Sequence, residues 1–112
     1  MSDWKYWLGT IVLAAVFGTM NVSAAETVYL IDVRTPQEFA QGHLAGAINI
    51  EHQEIADKIG SVTTDKNAHI ELYCRSGNRS GVALRRLREA GYQNAINLGG
   101  FEELRKTRPT AQ

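Results

Sequence analysis

The segment from residue 69 to residue 91 combines three local patterns that require a strand, a tight loop and a helix in direct succession. Ile70, Leu72 and Cys74 alternate with residues of other character, which predicts a short strand. A polar, glycine-containing loop follows, and residues 80–90 then carry alanine and leucine at helical spacing, with a glycine directly after them. The only cysteine of the chain is therefore predicted at the carboxyl end of a strand, facing the start of a helix.

The loop after Cys74 is suited to bind an anion. Successive backbone N–H groups in such a turn form a concave anion site, and the start of the helix adds partial positive charge. Arg75 and Arg79 add full charges. Because all three favour the thiolate, we predict that the pKa of Cys74 lies below that of a free cysteine. A lone cysteine is more commonly an inert core residue, but the flanking sequence Arg-Ser-Gly-Asn-Arg is too polar for a core, which favours a functional thiol.

Strand and helix patterns alternate along the rest of the chain. Further strands are predicted at residues 28–33, 47–50 and 95–98; further helices are predicted between Thr35 and Gly42, at residues 53–59 with Ile55, Ala56 and Ile59 turned inward, and at residues 101–104. This alternation predicts an α/β fold, an open parallel sheet with helices on both faces. Ligands of such sheets bind outside the carboxyl ends of the strands, which is where the local sequence puts Cys74.

Residues 1–24 have the pattern of a secretory signal peptide. Lys5 precedes an apolar run, and small residues follow with a plausible cleavage point after Ala24. The alternative is an uncleaved membrane anchor, because the apolar stretch is just long enough to span a bilayer. Either interpretation places the domain outside the cytoplasm. We expect this domain at residues 25–106, followed by a C-terminal tail at residues 107–112.

The single cysteine of an exported chain cannot form an intramolecular disulfide. An accessible thiol in an oxidising compartment is prone to mispairing and oxidation. This liability is easiest to explain if the sulfur of Cys74 is used, provided that the thiol is not deeply buried.

Charge and histidine spacing argue against two other classes of function. The chain has 12 basic and 12 acidic residues, so no net field points to nucleic acid or to an acidic membrane surface. His43, His52 and His69 fall on separate predicted elements without the spacing of metal ligands, and His43 is expected to fix its turn. We therefore expect no metal, no other cofactor and no nucleic-acid partner.

Four short motifs occur in an order that resembles the single-domain rhodanese family. They are Ile-Asp-Val-Arg at residues 31–34, Glu-Phe with Gly-His-Leu-Ala-Gly-Ala-Ile-Asn-Ile at residues 38–50, Tyr-Cys-Arg-Ser-Gly-Asn-Arg-Ser at residues 73–80, and Gly-Tyr with Leu-Gly-Gly at residues 91–100. The small size and the leader are similar to the phage shock protein E type, whose members are periplasmic thiosulfate sulfurtransferases. The resemblance covers nearly the whole predicted domain.

This resemblance implies a rhodanese-like fold and a role for each residue of the loop. Cys74 would be the sulfur-carrying nucleophile, and the substrate-binding loop would comprise Arg75, Ser76, Gly77, Asn78 and Arg79. Its thiolate would attack the outer sulfur of thiosulfate and release sulfite, which leaves a persulfide on Cys74, and cyanide or a thiol would then remove the outer sulfur. Loop N–H groups would hold the terminal sulfur while Arg75 and Arg79 attract the sulfonate.

Other functions for the same loop remain open at this point. A cysteine phosphatase or an arsenate reductase of the same fold would require arginine at position 80, where the chain has Ser80 and the arginine comes one position earlier. A persulfide carrier or binding module would share every residue with the enzyme. Asp32 and Arg34 could approach the loop from a neighbouring strand, but a structural ion pair is the favoured interpretation.

Overall fold

A four-stranded parallel sheet forms the centre of the domain. The structure is a computed structural model that describes residues 27–112, so the predicted leader lies outside the described residues. The sheet has the order β3-β1-β4-β5, and its strands are β1 (Val28–Asp32), β3 (Ile48–Asn49), β4 (His69–Cys74) and β5 (Ala95–Gly100). All pairs in this sheet are parallel, as the strand and helix alternation predicts.

Four helices accompany these strands, and the last of them follows β5. They are α1 (Pro36–Gln41), α2 (Ile55–Lys58), α3 (Asn78–Glu89) and α4 (Phe101–Leu104), and single 3-10 turns at His52–Glu54 and Ile59–Ser61 flank α2. Helix α1 begins with the predicted capping box, in which the Thr35 hydroxyl accepts from the Glu38 N–H and the Glu38 carboxylate accepts from the Thr35 N–H.

The sheet is covered on both faces, as expected. The larger core contains Ile31, Ile70 and Leu72 of the sheet and buries Ala83 and Leu87 of α3 against them. A smaller core on Leu44, Tyr73 and Phe101 lies apart from it and includes the first residue of α4. Successive residues of β4 therefore enter different cores, because strand side chains alternate between faces. Ile55 and Ile59 are buried as predicted, whereas Ala56 is exposed, so the inward orientation expected for Ala56 is wrong.

The C-terminal segment is not the tail that the sequence predicted. Thr110–Ala111 form a strand, β6, that pairs antiparallel with His43–Leu44, β2, in a second small sheet. The Ala45 N–H also donates to the Pro109 carbonyl at 2.9 Å. Both strands are two residues long, too short for an alternating pattern to be visible in the sequence. Residues 107–112 thus belong to the folded domain.

The described part of the chain contains no membrane-spanning helix. Within residues 27–112, no helix combines the length and the apolar character needed to cross a bilayer.

The backbone of Gly100 lies close to the backbone of the loop after Cys74, and a substitution at Gly100 tests this contact. A Cβ atom on Gly100 would lie 2.4 Å from the Arg75 carbonyl oxygen and 3.0 Å from Ser76 Cα, so Gly100→Ala must displace the loop. We expect its free energy of unfolding in urea to fall by about 1–3 kcal/mol. The matched control is Gly60→Ala, because a Cβ at Gly60 meets nothing within 4 Å. An equal effect of the two substitutions would contradict the close approach.

Candidate active site

Cys74 is the last residue of β4 and stands beside the neighbouring strand end. It pairs in register with Gly100 of β5, and the loop that follows leads directly into α3. The predicted position of the thiol, at a strand end and facing a helix start, is confirmed. Cys74 is only 1% exposed, however, so it is not the accessible thiol on which the argument from oxidation depends. The argument from oxidation therefore gives no support for a functional thiol. The evidence for function is the set of groups that surround the sulfur.

Hydrogen-bond donors surround the sulfur atom. The Gly77 N–H donates to Cys74 Sγ at 2.9 Å, and the Ser80 hydroxyl oxygen lies 3.4 Å from the same sulfur. Burial raises the pKa of the Cys74 thiol, but the Ser80 hydroxyl and the backbone N–H groups of Ser80, Gly77 and Ser76 outweigh it, so this pKa lies below its ordinary value. The direction of the shift agrees with the prediction from the sequence.

Gly77 makes this arrangement possible. It is the N-cap of α3 and has a φ of 103°, a left-handed conformation that favours glycine. Helix α3 begins at Asn78, two residues before the periodic pattern began in the sequence. The first helical N–H groups therefore lie next to the sulfur, where they favour negative charge.

The arginines contribute less to the thiolate than the sequence suggested. Arg79 forms two hydrogen bonds with the Glu38 carboxylate, at 2.7 and 3.0 Å. The hydrogen bond from Arg79 holds the pKa of Glu38 at about 2, and the same bond raises the pKa of Arg79. The guanidinium charge is thus largely engaged by a partner from α1. What favours the Cys74 thiolate is short-range donation from the loop and from Ser80.

A cavity of about 260 Å³ opens beside the loop, at the carboxyl edge of the sheet. Its lining includes Arg75, an exposed loop residue, and Phe101, whose ring has the Arg34 guanidinium at 4.4 Å and the Arg105 guanidinium at 5.2 Å from its centre. The charged residues of its lining are Arg34, Arg75 and Arg105 together with Glu38 and Glu102, so arginines exceed carboxylates by one. This small excess of positive charge beside an aromatic ring is compatible with a small anion. A larger groove of about 530 Å³ involves Val82 and other residues of α3 but none of the loop residues.

The other predicted loop residues differ in exposure. Arg75, Ser76 and Asn78 are exposed, whereas Gly77 and Arg79 are partly buried. The structure thus brings the backbone of the loop to the sulfur and leaves several of its side chains at the surface.

Two residues of the site were not recognised from the sequence. Ser80 is fully buried beside the sulfur, and Asn97 of β5 accepts a hydrogen bond from the Ser80 hydroxyl at 2.7 Å. In the sequence, Ser80 is the last residue of the loop motif and the first of the helical pattern, and neither feature indicates a contact with the sulfur. Asn97 carried a weak signal, because asparagine is uncommon within strands.

The expected ion pair of Asp32 and Arg34 and the expected turn contact of His43 are present, and Arg34 also lines the cavity beside the loop, as the alternative for this residue allowed. Asp32 and Arg34 form a buried ion pair, with Arg34 Nη2 2.6 Å from Asp32 Oδ2. The His43 ring stacks on Phe39 with centroids 3.6 Å apart, and its Nδ1 lies 2.8 Å from the Phe39 carbonyl oxygen. These residues order the turns around the loop.

The fold and the site define a class of protein: an α/β domain that holds an ionisable cysteine at the carboxyl edge of a parallel sheet, inside a loop of N–H donors. Comparison with known sequences makes the class more specific. Residues 19–107 match the family profile of the rhodanese-like domain. The chain therefore belongs to the rhodanese-like domain family, as its sequence motifs predict.

Individual relatives point the same way. The chain is 41% identical over 96 residues to the thiosulfate sulfurtransferase PspE of Escherichia coli (strain K12). The alignment covers 86% of this chain and 89% of that protein. It is 37% identical over 91 residues to the thiosulfate sulfurtransferase GlpE of Pseudomonas entomophila (strain L48), covering 79% and 82% of the two chains. The similarity predicted with the phage shock protein E type is confirmed, and these relatives support sulfurtransferase activity in the broad sense.

Solved structures agree on the fold. A rhodanese with anions from E. coli superposes with a TM-score of 0.72 at 36% identity and covers 77% of this chain and 99% of that chain. The predicted rhodanese-like α/β fold is thereby confirmed.

The Glu38–Arg79 pair predicts a dependence of stability on pH. The pKa of Glu38 in the folded protein is about 2, below its ordinary 4.5, so this pair stabilises the fold above pH 4.5 and the contribution is lost as the pH falls towards 2. We expect Glu38→Gln to lower the free energy of unfolding near neutral pH by about 1–2 kcal/mol and to flatten its decline in acid. Urea unfolding over a pH series measures both effects.

The matched control for this substitution is Glu54→Gln. Glu54 pairs with Lys58 on an exposed helix surface, at 2.9 Å and with side chains 44% and 57% exposed, so its loss should change stability by less than about 0.5 kcal/mol. If both substitutions flatten the acid decline equally, the role given to the Glu38–Arg79 pair is wrong.

Proposed function

We propose that this chain is a thiosulfate sulfurtransferase that carries sulfur as a persulfide on Cys74. The observation that carries the proposal is the donor set around the sulfur, in which the Gly77 N–H lies 2.9 Å from Cys74 Sγ and the Ser80 hydroxyl 3.4 Å away. These donors favour the thiolate, which is the nucleophilic form of cysteine. The substrate class comes from the named relatives PspE and GlpE.

The reaction has two displacement steps. The Cys74 thiolate attacks the outer sulfur of thiosulfate, the S–S bond of thiosulfate breaks, and sulfite leaves with the bonding electron pair. A second nucleophile, cyanide or a thiolate, then attacks the terminal sulfur. The bond between Cys74 Sγ and that sulfur breaks, the bonding electron pair returns to Sγ as the thiolate, and thiocyanate or the persulfide of the acceptor leaves. The lowered pKa of Cys74 raises the fraction of thiolate, and a Cys74 that is ionised at the working pH needs no separate general base for the first step.

The loop residues have two kinds of role in this scheme. The N–H groups of Gly77 and Ser76 hold the negative charge on sulfur as it moves from the cysteine to the terminal atom. Arg75 is exposed on the adjacent cavity and attracts the sulfonate of thiosulfate. Arg79, which is paired with Glu38, mainly holds the loop against α1. Asn78 begins the helix whose N-terminus faces the sulfur.

The burial of Cys74 favours one second candidate. A residue that is 1% exposed reacts only when the loop admits the donor, and a partner protein could open the loop. In that case the chain is a persulfide carrier that does not turn over with small acceptors. The cysteine phosphatase alternative gains no such support, since position 80 is the serine that donates towards the sulfur.

The proposed location of the protein is the periplasm. The support is the signal-peptide pattern of residues 1–24, with a mature chain that starts near Ala25. A membrane-anchored form with the domain outside the cytoplasm is the alternative. Under both, the partners are a small anionic sulfur donor and a cyanide or thiol acceptor.

Intact mass spectrometry after treatment with thiosulfate tests the chemistry. We expect the protein to gain the mass of one sulfur atom, cyanide to reverse the gain, and Cys74→Ser to show neither change, because the persulfide forms on Cys74. The same spectrum reports whether the leader is removed. Absence of any gain in the unmodified protein would overturn the proposal.

Steady-state assays separate the remaining candidates. Turnover of thiosulfate with cyanide or a small thiol supports the enzyme. A mass gain without turnover identifies a carrier, and hydrolysis of an aryl phosphate without either result identifies a phosphatase. Ser80→Arg, which creates the arginine position of the phosphatases, serves as the comparison variant in the aryl phosphate assay.

A further inference from the structure

The side chain of Asn97 connects three parts of the sulfur site from the neighbouring strand. Its Oδ1 accepts from the Gly99 N–H at 2.9 Å and from the Ser80 hydroxyl at 2.7 Å. Its Nδ2 donates to the Gly77 carbonyl at 3.1 Å. Because one end of the amide meets an N–H and the other a carbonyl, its orientation is determined. Asn97 thus contacts Gly77 and Ser80, two of the residues that donate to Cys74, without being one of the donors itself.

An irregularity in β5 directs Asn97 to this position. Leu72 pairs with Asn97 and Tyr73 pairs with Gly99, so Leu98 is an extra residue on β5. Bulges of this kind redirect side chains and occur often beside active sites. The bond from the Gly99 N–H to Asn97 Oδ1 spans the bulge and fixes the amide to its own strand.

The Ser80 hydroxyl has one proton and two acceptors within reach. Asn97 Oδ1 is 2.7 Å from the hydroxyl oxygen, and Cys74 Sγ is 3.4 Å from it. Ser80 is fully buried, so no solvent competes for this proton. Rotation of the O–H bond alone moves the proton from the amide oxygen to the sulfur, while the hydroxyl oxygen stays in place.

We propose that Asn97 is a positioning residue for the sulfur chemistry, one that orders the Gly77 carbonyl and the Ser80 hydroxyl from β5 so that both residues present their donors to Cys74 Sγ. The proposal rests on the proposed function for its kinetic readout. It also assigns the bulge at Leu98 a function, which is to direct the amide towards the loop.

A double-mutant cycle tests whether Asn97 acts through Ser80. We expect Asn97→Ala and Ser80→Ala each to lower kcat/KM for thiosulfate about tenfold or more, and the double variant to lose less than the product of the two. The control is Asn94→Ala, since Asn94 directly precedes β5 and donates a similar amide hydrogen bond, 2.8 Å long, to the Asn67 carbonyl. Multiplicative losses, or equal activities of Asn97→Ala and Asn94→Ala, would overturn the proposal.

A second readout of Asn97→Ala, the pH midpoint for alkylation of Cys74 by iodoacetamide, does not need sulfur transfer. This substitution removes the hydrogen bonds to Gly77 and Ser80 and adds no charge near the thiolate. We expect the midpoint to rise relative to the unsubstituted protein and to Asn94→Ala, and any activity lost near neutral pH to recover at higher pH. An unchanged midpoint contradicts the positioning role. If the midpoint rises but the unsubstituted protein transfers no sulfur, the proposed function fails while the role of Asn97 stands.

Discussion

The buried ion pair between Asp32 and Arg34 is the interaction on which the functional edge of the sheet depends. Asp32 is fully buried at the end of β1 and Arg34 is 5% exposed two residues later. Arg34 also donates to the Gly42 carbonyl at 2.7 Å and lies over the Phe101 ring. One guanidinium therefore joins the end of β1, the turn after α1 and the start of α4. A buried charge without its partner is costly, so these segments adopt a single arrangement.

Tyr73 links these ordered segments to Cys74, the residue that follows it in β4. Its ring is completely buried in the smaller core, and its hydroxyl accepts the Leu44 N–H at 2.9 Å. Burial raises the pKa of Tyr73 far above its ordinary value, so the phenol stays neutral. Because consecutive residues of a strand point to opposite faces, fixing Tyr73 in one core directs Cys74 to the other face, where the loop and α3 meet it. The packing of one side chain thus determines on which face of the sheet its neighbour lies.

Local signals were sufficient to predict the α/β fold and the position of Cys74, because alternation, capping residues and helix-ending glycines act over a few neighbouring residues. The features that the sequence did not predict depend on contacts between residues that are distant in sequence. The engagement of Arg79 by Glu38 spans 41 positions, and the bond from Ser80 to Asn97 spans 17. The strand in residues 107–112 exists only because an equally short partner strand lies beside it. Local composition cannot identify such partners, so the arginine charges were overestimated and the role of β5 was missed.

The ion pair between Arg79 and Glu38 affects which anions the loop can favour. A free guanidinium acts over distances comparable to the Debye length and attracts any anion, whereas N–H and O–H donors act only at hydrogen-bond distance. Since the Arg79 charge is engaged by Glu38, the donors of Gly77 and Ser80 are left as the main source of selectivity at Cys74 Sγ. Donors directed at one atom favour a charge concentrated on a single sulfur over one spread across the oxygens of a phosphate. In the proposed function, sulfur and phosphate are thus distinguished by how the charge is distributed and not by its sign.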